Sequence, residues 1–459
     1  MLPENFLSRM KSDLGESEYK KFISSYDEEP QKSLRINLLK KGRGNKDLRE
    51  TLRTFLRDRV AWCDNGYYVD PDDRPGKHAY HEAGLYYIQE ASAMAPVQWL
   101  DVHPGMKVLD LCAAPGGKST EIAGVMNNKG FLVSNEPETS RARILSLNIE
   151  RMGISNTLVT SELPDKLSGI FEGFFDRILV DAPCSGEGMF RKNPEAVTEW
   201  SPENVELCAK RQDTILSEAG KMLIPGGIMV YSTCTFSEDE NEGSIERFLK
   251  SNADYCVVDP DSIMKLPGGF IKHKYGVRIY PHNVKGEGHF FSILKRNGSI
   301  PGGLKRVIKS GVIDEAPAGS IKLFREFMKE YLPGTVIPQG VIHSFGDQLY
   351  LAPPDMPGLR GLKALRPGLH LGTLKKGRFE PSHALALFVS PDEALLTAEI
   401  SASDDLSLKY LKGESLQADL LNNGNKKGWC IISIDGFSTG WGKSDGRIIK
   451  NHYPKGLRI

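Results

Sequence analysis

The 459-residue chain predicts an α/β architecture built on a doubly wound, mostly parallel sheet. Three observations carry that expectation. From about residue 81 to 298, short apolar runs alternate with helical text. One run leads into a small-residue loop and a helix start, "VLDLCAAPGGKST". Two later runs, "RILVDAPC" and "IMVYSTC", end on cysteines, where the strand ends of such a sheet carry chemistry.

In chain order, residues 1–80 open with helical text ("ENFLSRMKSDLG", "EYKKFISSY"). A short strand, "SLRINLL", and "KDLRETLRTFL" with apolar residues at helical spacing come next. The turn-rich "DPDDRPGKHAYHEAG" marks a boundary. Residues 81–298 then supply the strands "KVLDL", "GFLVSNE", "NTLVT", "RILVDA" and "GIMVYSTC", followed by "RIYPHN" and "HFFSILKR" around a "VKGEG" turn. Five crossover strands and a terminal hairpin make a seven-stranded, nucleotide-type sheet with an antiparallel edge. The helices include "GKSTEIAGVM", "TSRARILSLNIERMG" and "SPENVELCAKRQDTILSEAGKML". Residues 299–380 turn to Gly and Pro punctuation ("IPGGLKR", "APPDMPGLRG") and read as a linker or small domain, and residues 381–459 as a β-rich module. No repeat recurs at a 20 to 50 residue period.

A chain this long exceeds one hydrophobic core, so two to four domains are expected. With 40% apolar and 26% charged residues, composition is that of a globular protein. No apolar run approaches the roughly 20 residues of a membrane span, and the acid-containing N-terminus is no secretory signal, so a cytoplasmic location without membrane partners is expected. The seven cysteines are scattered and contain no CxxC pair, which disfavours a disulfide framework and a zinc site; no metal is expected. Lys plus Arg equals Asp plus Glu at 59 each, but basic residues cluster. Residues 32–59 hold ten basic and three acidic side chains, 272–309 nine and one, 360–378 six and none, and 426–459 seven and two. Four such tracts on a neutral chain point to phosphate contacts.

The loop "CAAPGGKST" fits neither GxGxxG nor GxxxxGK[ST], and a plain tight turn would not explain Glu136 at the end of the next strand. An acid there is placed to accept bonds from ribose hydroxyls. Loop and acid together point to a nucleoside cofactor, S-adenosylmethionine first, and away from a dehydrogenase.

The ordered set "DLCAAPGGKST", "NEPETSRARILSLNIERMG", "VDAPCSGEGMFRKNPE", "YSTCTFSEDENE" and "RIYPHNVKGEGHFF" resembles the Sun-type RNA cytosine carbon-5 methyltransferases, in particular their bacterial ribosomal RNA branch. "SLRINLLK", "LYYIQEASAMAP" and "GWGKSDGRIIKNHYPKGLR" extend the resemblance over most of the chain. It implies a seven-stranded Rossmann-like methyltransferase domain, an RRM-like domain at 1–80 and a PUA-like RNA-binding module at 381–459, although "SLRINLL" carries none of the aromatic text of an RRM reader. It implies that Cys112, Ala113, Ala114, Pro115, Gly116, Gly117, Lys118 and Glu136 bind S-adenosylmethionine, with Asp181 between cofactor and base. Arg141 is a further candidate there, with capping or pairing as its alternative, and Asp110 a candidate loop anchor. The acid that follows the third strand in this family has no clear counterpart: Glu162 is nearest, and Leu163 stands in the usual place.

Cytosine carbon 5 is a poor nucleophile, so a thiolate must first add to carbon 6. A lowered thiol pKa is needed, for which Lys118 and strand-end dipoles are candidates. From residues alone, both cysteines qualify. Cys184 stands in the "PC" arrangement from which DNA cytosine-5 methyltransferases attack. The Sun-type resemblance assigns attack to Cys234 and product release to Cys184, with Asp181 as the N3 contact. Cys63, Cys208, Cys256 and Cys430 are expected to be structural. Arg191–Pro194 ("RKNP") and His282 are weaker site candidates. A target base must leave its stack to reach such a thiol, so RNA is expected to be gripped by basic and aromatic side chains, among them Phe437, Trp441, His452 and Tyr453 with Lys443, Arg447, Lys450 and Lys455. The expected substrate is small-subunit (16S) ribosomal RNA, free or within the small ribosomal subunit. Two alternatives are a non-catalytic RNA-binding or assembly protein that retains the fold, and an amino-group methyltransferase, whose polar "PP" aromatic motif is here replaced by "DAPC".

Overall fold

The computed structural model describes residues 2–299 and 311–459. The "GGLKR" text and the end of the second basic tract, 305–309, lie outside the described residues. The chain opens with α1 (Glu4–Ser24), kinked at Gly15, whose φ of 73° breaks one helix into the two segments the sequence suggests. Phe6, Met10 and Phe22 of α1 pack against Phe190, Trp200, Phe236 and Tyr280, so this helix lies on the central domain.

Strands β1 (Lys32–Ile36), β2 (Gly66–Val69) and β3 (Tyr86–Ile88) form an antiparallel sheet in the order β2-β1-β3. It has one strand fewer than an RRM sheet, and its third strand lies beyond the expected boundary at residue 80. The expected helix "KDLRETLRTFL" closes early, at Leu48–Leu52 behind an Asp47 cap.

The central sheet holds β4 (Lys107–Asp110), β5 (Phe131–Asn135), β6 (Thr157–Thr160), β7 (Phe175–Asp181) and β8 (Leu223–Thr233), all parallel, in the order β8-β7-β4-β5-β6. The chain winds outward from β4 to β6 and returns to β7 on the other side of β4. Ligands in such sheets bind at that switch, outside the strands' carboxyl ends. Helices α2 (Gly117–Met126), α3 (Thr139–Arg151) and α4 (Pro202–Met222) make crossovers. Beyond β8 come β9 (Tyr255–Val257), β10 (Phe270–His273), β11 (Gly276–Ile279) and β12 (His289–Arg296); β12 runs antiparallel to β8, β9 and β11. All seven expected strands are present, and β9 and β10 are additions whose short or exposed text gives no alternating signal. Period-2 alternation sends Phe290 to one face of the sheet and Phe291 to the other.

Helix α5 (Ala318–Tyr331) introduces the next segment, with β13 (Val341–Phe345), β14 (Gln348–Ala352), β15 (Ala364–Pro367), β16 (Leu369–Lys375) and β17 (Arg378–Pro381). Four of these strands pair as β13-β14-β16-β17. The remaining one, β15, leaves that sheet and pairs antiparallel with β6, extending the central sheet to ten strands. The last module pairs β18 (Thr397–Ile400), β19 (Leu416–Gln417), β20 (Gly428–Ile434), β21 (Phe437–Ser444) and β22 (Ile448–Asn451) in the order β18-β20-β21-β22-β19. Tyr453 is in its core, Phe437 is buried against the N-terminal sheet and Trp441 against α5 and the segment before it, while His452 is exposed against Trp429. Among the described residues no helix is long and apolar enough to cross a membrane.

The basic tract at 32–59 is only partly available for phosphate. Arg35 is buried beneath α2, Lys40 donates to Leu387 O and Ser438 O, and Lys46 to Asp435 O. These three cations bind the N-terminal sheet to its neighbours. In the other tracts Arg278 is paired with Glu242 and Arg366 with Glu150.

Candidate active site

At the switch between β4 and β7, a cavity of about 640 Å³ opens at the carboxyl ends of the strands. The loop after β4 shapes its floor. Asp110, fully buried, accepts from Ser119 Oγ at 2.7 Å and ties the end of β4 to the first turn of α2. Burial pushes its carboxyl up to about 7. Gly116 has φ 118° at the helix cap, a conformation that excludes other residues, and an added Cβ would crowd Leu145 at 3.2 Å. Pro115 O accepts from Asn148 of α3 at 2.8 Å.

Cys112, Ala114, Glu136, Arg141, Asp181, Cys184 and Cys234 line the cavity. Ala113, Pro115, Gly116, Gly117 and Lys118 form the supporting loop and helix start. Glu136, at the end of β5, is capped by Glu138 N and paired with Arg141 at 3.3 Å, and Arg141 also donates to Ala114 O. Arg141 therefore both pairs and lines the site.

Glu162 does not take the expected place. Its Oε1 accepts from Lys363 N at 2.6 Å and from Lys166 Nζ at 2.9 Å, so its carboxylate is taken up in holding the segment before β15. Leu163, 63% exposed, and Pro164 line the cavity instead. With Ile215 they give that end an apolar wall. An apolar wall together with the carboxylates of Glu136 and Asp181 in one cavity suits the chemistry of S-adenosylmethionine, which has a purine, a ribose diol and a cationic sulfonium.

The two cysteines meet at the far end. Their sulfurs are 3.4 Å apart, and both thiols are free. Ser185, next to Cys184, bonds Thr235, next to Cys234, at 2.8 Å, and both its backbone and side chain donate to the buried Glu240. Gly188 N donates to Cys234 O at 2.8 Å. The hydrogen bond to Cys234, followed by burial, pushes the Cys184 thiol well above its usual range. Asp181 Oδ2 accepts from Lys118 Nζ at 2.7 Å, and Oδ1 accepts from Ser232 Oγ at 2.8 Å, with His289 Nε2 at 3.6 Å. Burial works against this carboxylate, but Lys118 and His289 outweigh it and hold it well below the ordinary range. Cys234 adds to the field that keeps Lys118 charged against its own burial.

Ser232 and His289 escaped sequence reasoning. Both stand on predicted strands, "IMVYSTC" and "HFFSILKR", and it is the antiparallel pairing of β8 with β12 that brings them together. Arg191 and His282 lie elsewhere. Arg191 is buried against Glu287, Gly286 O and Ser25 O. His282 packs on Phe22 and faces Glu18.

Residues 97–295 match the family described as 16S rRNA methyltransferase RsmB/F, and residues 2–91 the N-terminal domain of 16S rRNA methyltransferase RsmF. Residues 326–388 match the RsmF rRNA methyltransferase first C-terminal domain, and 397–459 the methyltransferase RsmF PUA domain. Ribosomal RNA small subunit methyltransferase F of Shewanella piezotolerans is 33% identical over 99% of this chain and 97% of its own length. Its namesake from Aliivibrio salmonicida is 30% identical over the same shares. The chain belongs to the ribosomal RNA small subunit methyltransferase F family. Membership makes it an S-adenosylmethionine-dependent ribosomal RNA methyltransferase of the cytosine carbon-5 class that the motifs imply. Ribosomal RNA is its substrate, and the five-stranded C-terminal sheet is its PUA domain. Among solved structures, a methyltransferase homologue from Pyrococcus horikoshii is 25% identical with a TM-score of 0.52, over 64% of this chain and all of that one. NSun6 from the same organism, solved with SFG, shares the fold at 22% identity and a TM-score of 0.55, over 65% of this chain and 99% of that one.

Proposed function

We propose that this enzyme methylates cytosine carbon 5 through a covalent adduct in which Cys234 attacks and Cys184 serves release. The observation that carries the reading is the pair of free thiols 3.4 Å apart, next to the ion-paired Asp181 and open to one cavity. S-adenosylmethionine, when bound, supplies an electrophilic methyl group. Cys234 adds to carbon 6 of a flipped cytosine, and Asp181 faces N3. Addition makes carbon 5 nucleophilic enough to take the methyl group, after which a base removes the carbon-5 proton and the thiolate leaves.

The contact between the two sulfurs lets one thiol keep its proton while the other attacks, which suits this division of labour. A cysteine that keeps its proton is a poor nucleophile, but its S–H can point at the Cys234 sulfur, steadying that thiolate before attack and again as it departs. Glu136, Arg141, Cys112 and Ala114, with the loop from Ala113 to Lys118 behind them, hold the methyl donor in this reading. The RNA is that of the small ribosomal subunit, free or assembled, and the enzyme works in the cytoplasm.

The test uses in-vitro-transcribed small-subunit ribosomal RNA and small subunits assembled on it. Cys184→Ala is expected to accumulate a protein–RNA adduct on a denaturing gel, and Cys234→Ala to form none. The opposite pattern would make Cys184 the attacking thiol.

A further inference from the structure

Asp181 is contacted by Lys118, Ser232 and His289, and of these only an imidazole titrates near neutral pH. His289 opens β12 and is 3% exposed, and its Nε2 has no hydrogen-bond partner among the described residues. That nitrogen lies 3.6 Å from Asp181 Oδ1. Catalytic hydrogen bonds often shorten only when substrate is bound.

The chemistry leaves a proton unassigned. A carboxylate facing cytosine N3 sets an acceptor against an acceptor. When the Cys234 sulfur bonds to carbon 6, the carbon 5–carbon 6 π pair moves to carbon 4–carbon 5, and the pair of the N3–carbon 4 π bond moves to N3. A proton must arrive there.

We propose that His289 delivers this proton through Asp181, a role that rests on the reading of Asp181 as the N3 contact. As the sulfur–carbon 6 bond forms, the imidazolium Nε2–H proton moves to an Asp181 carboxylate oxygen and from that same oxygen on to N3, leaving neutral imidazole, carboxylate and N3–H. When the carbon 4–carbon 5 pair takes the methyl group, the N3–carbon 4 π bond re-forms and N3 returns its proton through Asp181, restoring the imidazolium. The carbon 5–hydrogen pair then makes the carbon 5–carbon 6 double bond as a base takes that proton and the thiolate leaves. His289 acts through Asp181 and is a positioning residue, not a group that touches the base.

The charged groups facing His289 are Asp181 from β7, Lys118 from α2 and Glu90 from the segment after β3. Burial works against the charged imidazole and lowers the His289 pKa, whereas the phosphates of bound RNA favour the charged form. Lys118 is a poor alternative donor, since its contact with Asp181 holds its proton more firmly.

His289→Gln, with His289→Asn as a second variant, separates this role from packing. The readout is the single-turnover rate of adduct formation against pH on in-vitro-transcribed small-subunit ribosomal RNA, with the same RNA in assembled subunits as a second substrate. In the wild type the rate should fall at alkaline pH, as His289 loses its proton. In both variants that alkaline limb should vanish and the rate near neutral pH should drop about 100-fold, while dissociation constants for the RNA and for S-adenosylhomocysteine stay within about twofold of wild type. An intact alkaline limb at wild-type rate in either folded variant overturns the relay. Asp181→Asn makes the two failures distinguishable. If it alone loses adduct formation, the relay through His289 is wrong and the Asp181 contact stands. If all three variants react at wild-type rate, the reading of Asp181 fails as well.

Discussion

Gly188→Ala should slow the nucleophile's attack without touching the methyl-donor end of the cavity. Gly188 N donates to Cys234 O at 2.8 Å. A Cβ built on Gly188 lies 2.9 Å from Cys234 O and 3.0 Å from Gly288 O. Carbon–oxygen contacts rest at about 3.3 Å or more, so each approach is short by roughly 0.3–0.4 Å. Both obstacles are backbone oxygens, one after β8 and one just before β12, and neither can swing aside like a side-chain tip. Overpacking of this kind costs about 1–3 kcal/mol, and lifting the Cys234 peptide also weakens the Gly188 hydrogen bond, worth about 1 kcal/mol. A displacement of about 1 Å at a reacting group costs on the order of 100-fold in rate. A shift the size of that overlap, about 0.3–0.4 Å, predicts a loss of roughly fourfold to sixfold. Single-turnover adduct formation on unmethylated small-subunit ribosomal RNA measures it, with S-adenosylhomocysteine affinity expected to be unchanged. Gly186→Ala is the control: Gly186 has φ 72° but nothing within 4 Å of its Cβ, so stability should fall while the rate per folded molecule holds. Equal rates for Gly188→Ala and wild type would refute the argument.

Arg35→Met should destabilise the protein by about 3–5 kcal/mol, because it strands the buried Glu121 beside it, and adding Glu121→Gln should recover a substantial part; hydrogen exchange of α2 reads both. Burial raises the Glu121 carboxyl from 4.5 to about 7. Its folded-state value lies above the unfolded one, so the native state binds more protons in that window, and stability is lost as pH rises through about 7. Glu121→Gln should flatten that slope, which urea titrations at pH 5 and pH 8 would detect. Glu136→Gln should weaken S-adenosylhomocysteine binding at least tenfold, whereas Glu162→Gln should change it less than twofold, and isothermal titration of both separates the ribose acid from the residue that holds Lys363. Equal losses would return Glu162 to the cofactor site.

Local periodicity exposed most of the central sheet. Each predicted strand from "KVLDL" to "HFFSILKR" is apolar enough to be buried on both faces, and the loop after β4 is recognisable from its small residues alone. The register between distant strands was not legible. Nothing local in "IMVYSTC" or "HFFSILKR" says that Ser232 and His289 meet at one carboxylate. The same limit hid β15, whose "ALRP" reads as linker yet pairs with β6 and brings Lys363 to Glu162. Counting charge also misled at one point. Arg35 and Lys40 belong to a basic tract that suggests phosphate, but charge density along a sequence does not distinguish a solvated cation from one buried under carbonyl oxygens.

The placement of those cations changes the part the N-terminal region plays. Arg35, from β1, donates to Gly117 O at 2.9 Å and to Thr120 Oγ1 at 2.7 Å, both in the first turn of α2, from which Lys118 reaches Asp181. On the opposite wall, Arg9 of α1 bonds Glu187 at 2.6 Å, and Glu187 accepts from Phe236 N, two residues past Cys234. The N-terminal region therefore braces both the cofactor loop and the cysteine loops, and its cations act on the site from behind. An RNA that moved this region would press on Lys118 and Cys234 together, since each is one or two residues from a braced atom. This geometry makes the region part of the catalytic framework, and a truncation that removed residues 1–80 would be expected to abolish donor binding as well as RNA capture.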